Sequence, residues 1–462
     1  MSKQPVTAST FTLGDDDLSF ATDLYELTMA AAYHRLPTMP RATFELYVRR
    51  LPANRNFLVF AGLEQALASL VRMRFTDDQI EHLRSLPAFR DIDGDFFDVL
   101  RDFRFAGNVW AMAEGTVFFP GEPVLRVTGN LLEAQLVETL LLSIINFQTT
   151  IASKAARVRL AAGSGSQLVE FGGRRAHGPQ AAAWAARAAY IGGFDATSNV
   201  LAGQRLGIET VGTMAHSYIM VFDREIEAYE HFHSIFHEHS TFLVDTYDTL
   251  EGVRQALALD KPFLGIRLDS GDIEHLSKET KKLLDEAGRS EAEIFVSGDL
   301  DEVSIAALVA AGAPIDTFGV GTRLTTSSDA PYLGGIYKLV EIEDRDRVLP
   351  KLKTSPGKVT YPGKKQVLRS YAKGRMRGDR IAPLSDVEIF GTDTPLLQPV
   401  LRNGRILIDD SLEEVSKHCR QQLDELPNAL RSLKVAEPPY PVIIDPSLER
   451  LLSEGQARVA GN

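Results

Sequence analysis

Residues 263–272 read Phe-Leu-Gly-Ile-Arg-Leu-Asp-Ser-Gly-Asp, an apolar run that ends in acids, a hydroxyl and a glycine. Residues 263–268 have the length and composition of a buried strand. Similar runs lie at 167–171, 208–211, 241–244, 293–296 and 315–318, with helical patterns at 248–258, 273–287 and 301–311. Strands that alternate with single helices predict βαβ units and a parallel sheet. Six such units favour an irregular TIM-like α/β barrel, with a doubly wound sheet as the alternative.

The sequence on either side of this pattern suggests further domains. Residues 1–20 are expected to form a flexible arm, and residues 161–345 the barrel. Residues 21–160 suit an N-terminal α/β domain with a helix capped by Thr22 that continues through Tyr33, β-like runs at 42–48 and 116–127, and a long helix at 131–160. We expect residues 346–462 to be a C-terminal extension that packs back on the N-terminal domain or forms a small third domain. Its polar end, 453–462, is expected to be frayed.

The composition excludes several classes of protein. The chain has 462 residues with 50 Lys and Arg against 62 Asp and Glu, a net charge of −12 that argues against a nucleic-acid partner. The single cysteine, Cys419, excludes a disulfide framework and a Cys-rich zinc site. Residues 131–147 are apolar but carry Glu133, Gln135 and Glu138, so we expect a buried helix there and no membrane partner. Without the apolar core of a signal peptide, the chain is expected to be cytoplasmic.

Polar residues follow each of the six strand-like runs. The endings are residues 172–175, 212–217, 245–248, 267–272, 297–299 and 319–323, and all of them supply small residues, hydroxyls, acids or arginines. In a parallel barrel the loops after the strands form one face, and the chemistry lies on that face. Six such endings in succession therefore predict a single active face.

These endings carry three kinds of binding group. Glycine loops let backbone N–H groups approach an anion, guanidinium groups match phosphate or carboxylate, and carboxylates hold Mg²⁺ through water. The glycine loops contain Gly298, Gly319, Gly321 and Thr322. The guanidinium groups are those of Arg174, Arg175 and Arg267, and the carboxylates are those of Asp269, Asp272 and Asp299. The set suits a sugar phosphate or pyrophosphate ester with its metal. Walker A spacing and a complete dinucleotide-binding loop are both missing.

Each candidate also has a structural alternative. Gly319 and Gly321 are equally compatible with ordinary turns, and Arg267 with an ion pair to Asp269 or Asp272. His216 follows a strand and a Gly-Thr pair, which suits either catalysis or a structural histidine. A second histidine group lacks Cys ligands and a His-Glu-x-x-His pattern, so a solvated helix end is favoured over a zinc site there. Its members are His231, His233, His237 and His239.

The segments at these positions closely resemble the nicotinate phosphoribosyltransferase family. They are residues 22–25, 170–175, 192–199, 212–217, 267–272, 319–322 and 334–340, within a resemblance that covers residues 20 to 400. The resemblance implies a type II phosphoribosyltransferase fold, an irregular α/β barrel beside an N-terminal α/β domain. It implies conversion of nicotinate and phosphoribosyl pyrophosphate to nicotinate mononucleotide and pyrophosphate, the first step of NAD salvage from nicotinate. It also implies coupling to ATP hydrolysis, Mg²⁺, and a homodimer with active sites near the subunit interface.

The resemblance also implies roles for individual residues. His216 is similar to the histidine that the family phosphorylates with ATP. Tyr25, Thr213 and Arg267 resemble nicotinate-site residues; by pattern alone, Tyr25 would be a packing residue on an amphipathic helix. Thr322 resembles a donor contact, and Arg174 falls near the donor and the base. From the chemistry of the loops, Asp269, Gly298 and Gly321 complete the substrate-binding set, and no metal ligand is assigned.

Four other functions compete with this interpretation. A nicotinamide phosphoribosyltransferase would need an acceptor for the amide, whereas the Arg-rich loop at 171–175 favours a carboxylate. A quinolinate phosphoribosyltransferase would need more cations for a diacid and generally lacks the ATP-coupled histidine. A barrel aldolase or isomerase would typically have Lys or Glu at a strand end, and the six endings contain neither. A non-catalytic binding module fits poorly with Arg, Asp, His and Gly gathered on one face.

Overall fold

The computed structural model describes residues 13–345, 347–355, 359–386 and 393–460. Residues 1–12 of the expected arm lie outside the described residues, and residues 15–17 form a single 3₁₀ turn. The elements before the barrel are α1 (Leu24–His34), β1 (Arg41–Val48), β2 (Leu58–Val59), α2 (Leu63–Arg72), α3 (Asp77–Ser85), α4 (Gly94–Arg101), β3 (Asn108–Ala111), β4 (Val117–Phe118), β5 (Pro123–Asn130), α5 (Leu131–Leu136) and α6 (Glu138–Ala162).

Three local predictions in this region need correction. Asp23, not Thr22, is the N-cap residue of α1, because the Thr22 hydroxyl donates to Glu26 Oε2 at 2.6 Å instead of capping the helix. The run at 116–127 divides into β4 and β5 at a turn where Gly121 has a φ of +85°. The expected long helix is interrupted at Val137, which separates α5 from α6.

The central region alternates strands and helices as its pattern predicts. The elements are β6 (Gln167–Glu170), α7 (Pro179–Ile191), β7 (Ala196–Thr197), α8 (Val200–Leu206), β8 (Glu209–Thr210), α9 (His216–Ile219), α10 (Glu225–Phe236), β9 (Thr241–Leu243), α11 (Thr249–Ala258), β10 (Gly265–Leu268), α12 (Ile273–Glu286), β11 (Glu293–Val296), α13 (Glu302–Ala310), β12 (Thr317–Val320) and α14 (Thr322–Thr325). The sequence pattern missed β7, which has only two residues.

The strand order confirms the barrel and excludes the doubly wound alternative. All neighbours in the seven-stranded sheet are parallel, in the order β8-β7-β6-β12-β11-β10-β9. The strands thus follow one another around a circle, with β12 pairing back onto β6 and an opening between β8 and β9. A doubly wound sheet would instead extend in both directions from a central switch point.

The rest of the chain adds two further layers of strands. Its elements are β13 (Gly335–Asp344), β14 (Arg347–Pro350), β15 (Lys365–Ala372), β16 (Arg375–Pro383), β17 (Thr394–Pro395), β18 (Gln398–Arg402), β19 (Arg405–Ile406), α15 (Leu412–Glu425), β20 (Val442–Ile444) and α16 (Pro446–Ala460). One sheet has the order β14-β13-β1-β5-β3-β18-β19, and another the order β17-β15-β16-β20. The end expected to be frayed lies in α16 up to Ala460, and residues 461–462 lie outside the described part.

The apolar stretch at 131–162 forms the centre of the fold. It is long and apolar enough to cross a membrane, but 61% of its most apolar window is buried inside the protein. The buried side of α6 also carries Lys154, which pairs with Glu302 and Asp329. Apolar side chains of α6 belong to both hydrophobic cores of the molecule, as expected for a core helix.

Candidate functional site

A cavity of about 1100 Å³ opens at the carboxyl ends of the barrel strands. Eight of the nine predicted site residues line it: Arg174, Thr213, His216, Arg267, Asp269, Gly298, Gly321 and Thr322. The exception is Tyr25, which lies half-exposed on α1. Asp272 is also outside the cavity, because its carboxylate accepts from the His275 N–H and caps α12. Chain order around the barrel therefore brings together loops that are far apart in sequence.

Arg267 is held by three different loops. Its Nε donates to Ser297 Oγ at 2.9 Å, and its Nη2 donates to Asp269 Oδ1 at 2.8 Å. Its Nη1 donates to Thr213 Oγ1 at 3.0 Å and to Met214 O at 3.1 Å. One N–H of Nη2 is left without an acceptor among the described residues. Arg267 therefore forms the structural ion pair with Asp269 and also lines the cavity.

The same network places His216. This residue begins α9, and its Nδ1 lies 3.1 Å from Thr246 Oγ1. Its Nε2 lies 3.6 Å from Asp269 Oδ2, while 41% of its side chain stays exposed. Burial works against ionisation of Asp269, but the hydrogen bond from Ser297 and the charge of Arg267 hold the pKa of this carboxyl below its usual range. An ionised carboxylate therefore faces the imidazole at the mouth of the cavity.

Arg174 and Arg175 differ from Arg267 because they are free. They lie exposed on a 3₁₀ turn after β6, and their side chains have no ion-pair or hydrogen-bond partner among the described residues. The buried Glu170 anchors this turn, since its carboxylate accepts from the Gly172 N–H and from Thr197 Oγ1. Two cations are thus presented to the cavity by a fixed loop.

Two glycines are required by close approaches between loops. Gly298 has a φ of +89°, and a Cβ there would lie 2.0 Å from the carbonyl oxygen of Asp269. A Cβ at Gly172 would lie 1.6 Å from Thr325 Oγ1. Any side chain at either position would push neighbouring loops apart. Gly298 is therefore required by the packing of its loop against the loop after β10.

The sequence analysis assigned no side-chain role to four residues of the site. Phe171 lines the cavity and stacks on Phe295 with ring centroids 5.4 Å apart, while the Arg267 guanidinium lies 5.5 Å from the Phe171 centroid. Ser297 and Thr246 bond Arg267 and His216 as described above. Asp245 Oδ2 accepts from the Asp269 N–H at 3.0 Å. All four lie at or next to strand ends, the signal by which they could have been found.

The second histidine group is partly different from its prediction. His233 is buried instead of solvated, and its Nε2 lies 2.9 Å from the carbonyl oxygen of Pro262. His231, His237 and His239 are exposed, as a solvated helix end requires. Within the described ranges, no three His, Cys, Asp or Glu side chains are grouped closely enough to hold a metal ion.

The barrel and its cavity define an α/β-barrel enzyme with an active site at the carboxyl ends of parallel strands. Family models match two parts of the chain: the nicotinate phosphoribosyltransferase N-terminal domain over residues 20–146, and the nicotinate phosphoribosyltransferase family over residues 166–348. The chain belongs to the nicotinate phosphoribosyltransferase family.

Relatives and solved structures agree with this assignment. Nicotinate phosphoribosyltransferase pncB2 of Mycobacterium tuberculosis is 44% identical over 94% of this chain and 92% of its own length. Nicotinate phosphoribosyltransferase of Bacillus subtilis is 46% identical over 80% of this chain and 76% of its own length. The crystal structure of human nicotinic acid phosphoribosyltransferase has a TM-score of 0.82 at 28% identity, and covers 94% of this chain and 99% of its own. The similarity therefore extends beyond residue 400.

Proposed function

We propose that this protein transfers the phosphoribosyl group of 5-phosphoribosyl 1-diphosphate to nicotinate, giving nicotinate D-ribonucleotide and diphosphate. The observation that carries this proposal is the pair of unpartnered arginines, Arg174 and Arg175, in a cavity that also contains glycine loops and an aromatic face. Both substrates are anions, and both need cations that are not already neutralised. The family membership of the chain supports the same reaction. The enzyme would catalyse the first step of NAD salvage from nicotinate, in the cytoplasm.

The nicotinate ring fits the part of the cavity around Phe171. A flat aromatic side chain offers a stacking surface for the pyridine ring. The free N–H of Arg267 lies beside this surface, so it would donate to the nicotinate carboxylate, with Thr213 fixing the arginine. Nicotinamide has no negative charge to satisfy these cations, which favours the acid.

The donor fits the glycine loops that follow β11 and β12. Backbone N–H groups near Gly298, Gly321 and Thr322 would bind its phosphate oxygens. When diphosphate leaves C1 of the ribose, the ring gains positive charge, and the pyridine nitrogen of nicotinate then attacks C1. Asp269 and Asp299, which both line the cavity, would stabilise this charge or bind ribose hydroxyls. No protein nucleophile is needed, since orientation and charge supply most of the acceleration.

Mg²⁺ fits this site as a companion of the diphosphate. The chain offers the carboxylates of Asp269 and Asp299 but no group of three ligands within the described ranges. Mg²⁺ commonly takes one or two carboxylates and completes its shell with water and substrate phosphates. It would neutralise the leaving diphosphate when bound.

We also propose that ATP hydrolysis is coupled to this reaction through His216. A phosphorylated His216 next to Asp269 would change the charge at the cavity mouth and favour a conformation that binds the donor tightly. Its hydrolysis would restore the weaker state and release the products. ATP would thus act as a co-substrate that supplies energy, while glycosyl transfer itself stays possible without it.

A homodimer would account for Tyr25. In its own chain this residue lies outside the cavity, although the family resemblance gives it a role at the nicotinate site. Burial, with Glu138 and Glu26 nearby, raises the pKa of Tyr25 to about 12, so its phenol stays neutral and able to donate. We propose that Tyr25 contributes to the cavity of a second copy.

One assay tests the proposed reaction. The protein is incubated with phosphoribosyl pyrophosphate, Mg²⁺ and one of nicotinate, nicotinamide or quinolinate, with and without ATP, and mononucleotide and ADP are measured. Losing a charge-assisted hydrogen bond costs about 1.5–3 kcal/mol, so nicotinate should exceed nicotinamide in kcat/KM by at least about 10-fold. Comparable values for the two bases would contradict the substrate assignment.

A further inference from the structure

Two neighbouring loops carry glycines of the cavity. Ser297, Gly298 and Asp299 follow β11, whereas Gly321 and Thr322 follow β12, and these two strands pair in parallel. A ligand that carries several phosphate oxygens would contact both loops at once. The distance between the loops therefore affects how well their N–H groups match one diphosphate.

An ion pair joins the two loops outside the cavity lining. Arg323 Nη1 donates to Asp301 Oδ2 at 2.7 Å. Arg323 directly follows Thr322, and Asp301 lies two residues after Asp299. Neither side chain lines the cavity, so neither is placed to touch a ligand there. The pair acts on the loops from outside.

The two oxygens of Asp301 have different partners. Oδ1 accepts from the N–H groups of Val303 and Ser304 at 3.0 and 2.9 Å, which caps α13, and Oδ2 is left for Arg323. The side chain is 15% exposed. Burial disfavours its charge, but the Ser304 N–H bond and the charge of Arg323 hold the pKa of this carboxyl below its usual range. It is therefore an anion at neutral pH.

Each loop also has an anchor of its own. The residue after Asp301, Glu302, is 2% exposed and accepts from Arg157 Nε on α6 at 3.0 Å. In the other loop, Thr325 Oγ1 donates to Gly321 O at 2.9 Å. Lys154 on α6 pairs with Glu302 and with Asp329, four residues after Thr325, so α6 holds both segments, and the Asp301–Arg323 ion pair links the two loops directly.

We propose that Asp301 and Arg323 are positioning residues that hold the Gly298 and Gly321 loops at the spacing needed to bind the diphosphate group of the donor. The identity of the ligand, the phosphoribosyl donor, rests on the proposed function. The positioning role of the ion pair is argued from the geometry of the two loops.

The test uses variants that remove the charge and little else. Asp301→Asn keeps an N-cap acceptor, because Asn caps helices as well as Asp. Arg323→Gln removes the guanidinium, Arg323→Lys keeps a positive charge, and Arg254→Gln is a matched control, since Arg254 forms an exposed ion pair with Glu251 on α11. KM for each substrate, kcat and the thermal midpoint are measured for the single variants and for the double variant. Calorimetric titration with diphosphate and Mg²⁺ measures binding without turnover.

We expect the two charge-removing single variants to raise the donor KM and the diphosphate Kd by about 3- to 10-fold, as the loss of a partly buried ion pair implies. Nicotinate KM should stay within about twofold, and the double variant should resemble the singles because both act through one contact. Arg323→Lys should recover part of the loss, and Arg254→Gln should change nothing.

Three outcomes would overturn the proposal: unchanged diphosphate affinity, equal losses for both substrates, or additive effects of the two changes. Wild-type protein that binds diphosphate but does not turn over nicotinate would contradict the proposed function alone. The diphosphate titration of the variants would still decide the role of the ion pair.

Discussion

Arg267 already uses four of its five N–H groups inside the protein. A lysine has three N–H groups on one nitrogen and cannot reach Ser297, Thr213 and Asp269 from a single position. We predict that Arg267→Lys lowers kcat/KM for nicotinate by about 10- to 100-fold, with a smaller effect on donor KM.

Steady-state kinetics with each substrate varied in turn checks this prediction. Arg254→Lys is the control, because Arg254 lies exposed on α11 outside the cavity. Equal losses for nicotinate and donor would place Arg267 on the phosphate side of the site.

His216 lies at the cavity mouth with 41% of its side chain exposed. Because glycosyl transfer needs no protein nucleophile, we predict that His216→Ala keeps a slow transfer and loses ATP stimulation. Wild-type protein given γ-labelled ATP should hold acid-labile, base-stable label, and the variant should hold none. Its stability should change by about 0.5 kcal/mol or less, since the residue packs little surface.

Two outcomes would decide against this role of the histidine. A variant that still accepts label and responds to ATP would refute the coupling. An unfolded variant would show that the structural interpretation of His216 was correct.

At this scale, the residue types of the site could be predicted, but their pairing could not. Arg, Asp, His and Gly at strand ends mark one face of a barrel whatever the exact geometry. That Arg267 bonds Thr213 and Ser297 depends on how three loops pack. Spacing along the chain carries no such information, and for the same reason Tyr25 could not be placed in or out of its own cavity.

At the scale of elements, the turn between β4 and β5 places Glu122 in a buried cluster with Arg369 and Asp379. Burial raises the pKa of Glu122 well above its usual range, and the nearby charge of Asp379 raises it further. The folded protein thus holds a proton that the unfolded chain releases, so this residue costs stability as pH rises above the ordinary Glu value. Glutamine resembles the protonated acid. We predict that Glu122→Gln leaves stability equal or higher, with a gain that grows as pH rises above the ordinary Glu pKa.

Glu114 is the matched control with the opposite sign. It is also fully buried, but the charge of Arg187, 2.7 Å away, overcomes burial and lowers its pKa. The ionised form of Glu114 stabilises the folded state at pH values above the ordinary Glu pKa. This stabilisation is lost as pH falls and the carboxylate is protonated. Glu114→Gln should therefore cost about 3 kcal/mol at neutral pH. Thermal unfolding of both variants across pH measures the contrast, and a parallel loss in both would contradict it.

The elements themselves were predictable where periodicity was strong. β11 and the amphipathic helix α12 begin where their patterns predict. The two-residue strand β7 has too little sequence to show a pattern, and the interruption at Val137 occurs inside a continuous apolar run. The polar end of the chain continues the helix α16, whose first turn is held by its own Leu448, a fully buried side chain.

At the scale of the whole molecule, the proposed dimer makes a prediction about mixtures. If Tyr25 acts in the cavity of a second copy, a dimer of one Tyr25→Ala chain and one His216→Ala chain has one intact site and one doubly altered site. Equal mixing after unfolding and refolding should restore about a quarter of the ATP-stimulated rate, because half of the dimers are mixed.

The two parent variants, refolded separately and combined without exchange, are the control. Recovery without exchange would rule out shared sites as its cause, and no recovery after exchange would place Tyr25 in its own chain's site or outside both.

Strand β1 lies between β13 and β5 in its sheet, so one of its two neighbours comes from a distant part of the chain. On a ribosome that adds about 5–20 residues per second, β1 waits roughly 15 to 60 seconds for β13 to emerge. During that time β5 is its neighbour on one side, while its other edge offers unpaired N–H and C=O groups to any passing strand. Synthesis of this protein therefore includes an interval in which a newborn chain depends on chaperones or low crowding to avoid edge-to-edge association.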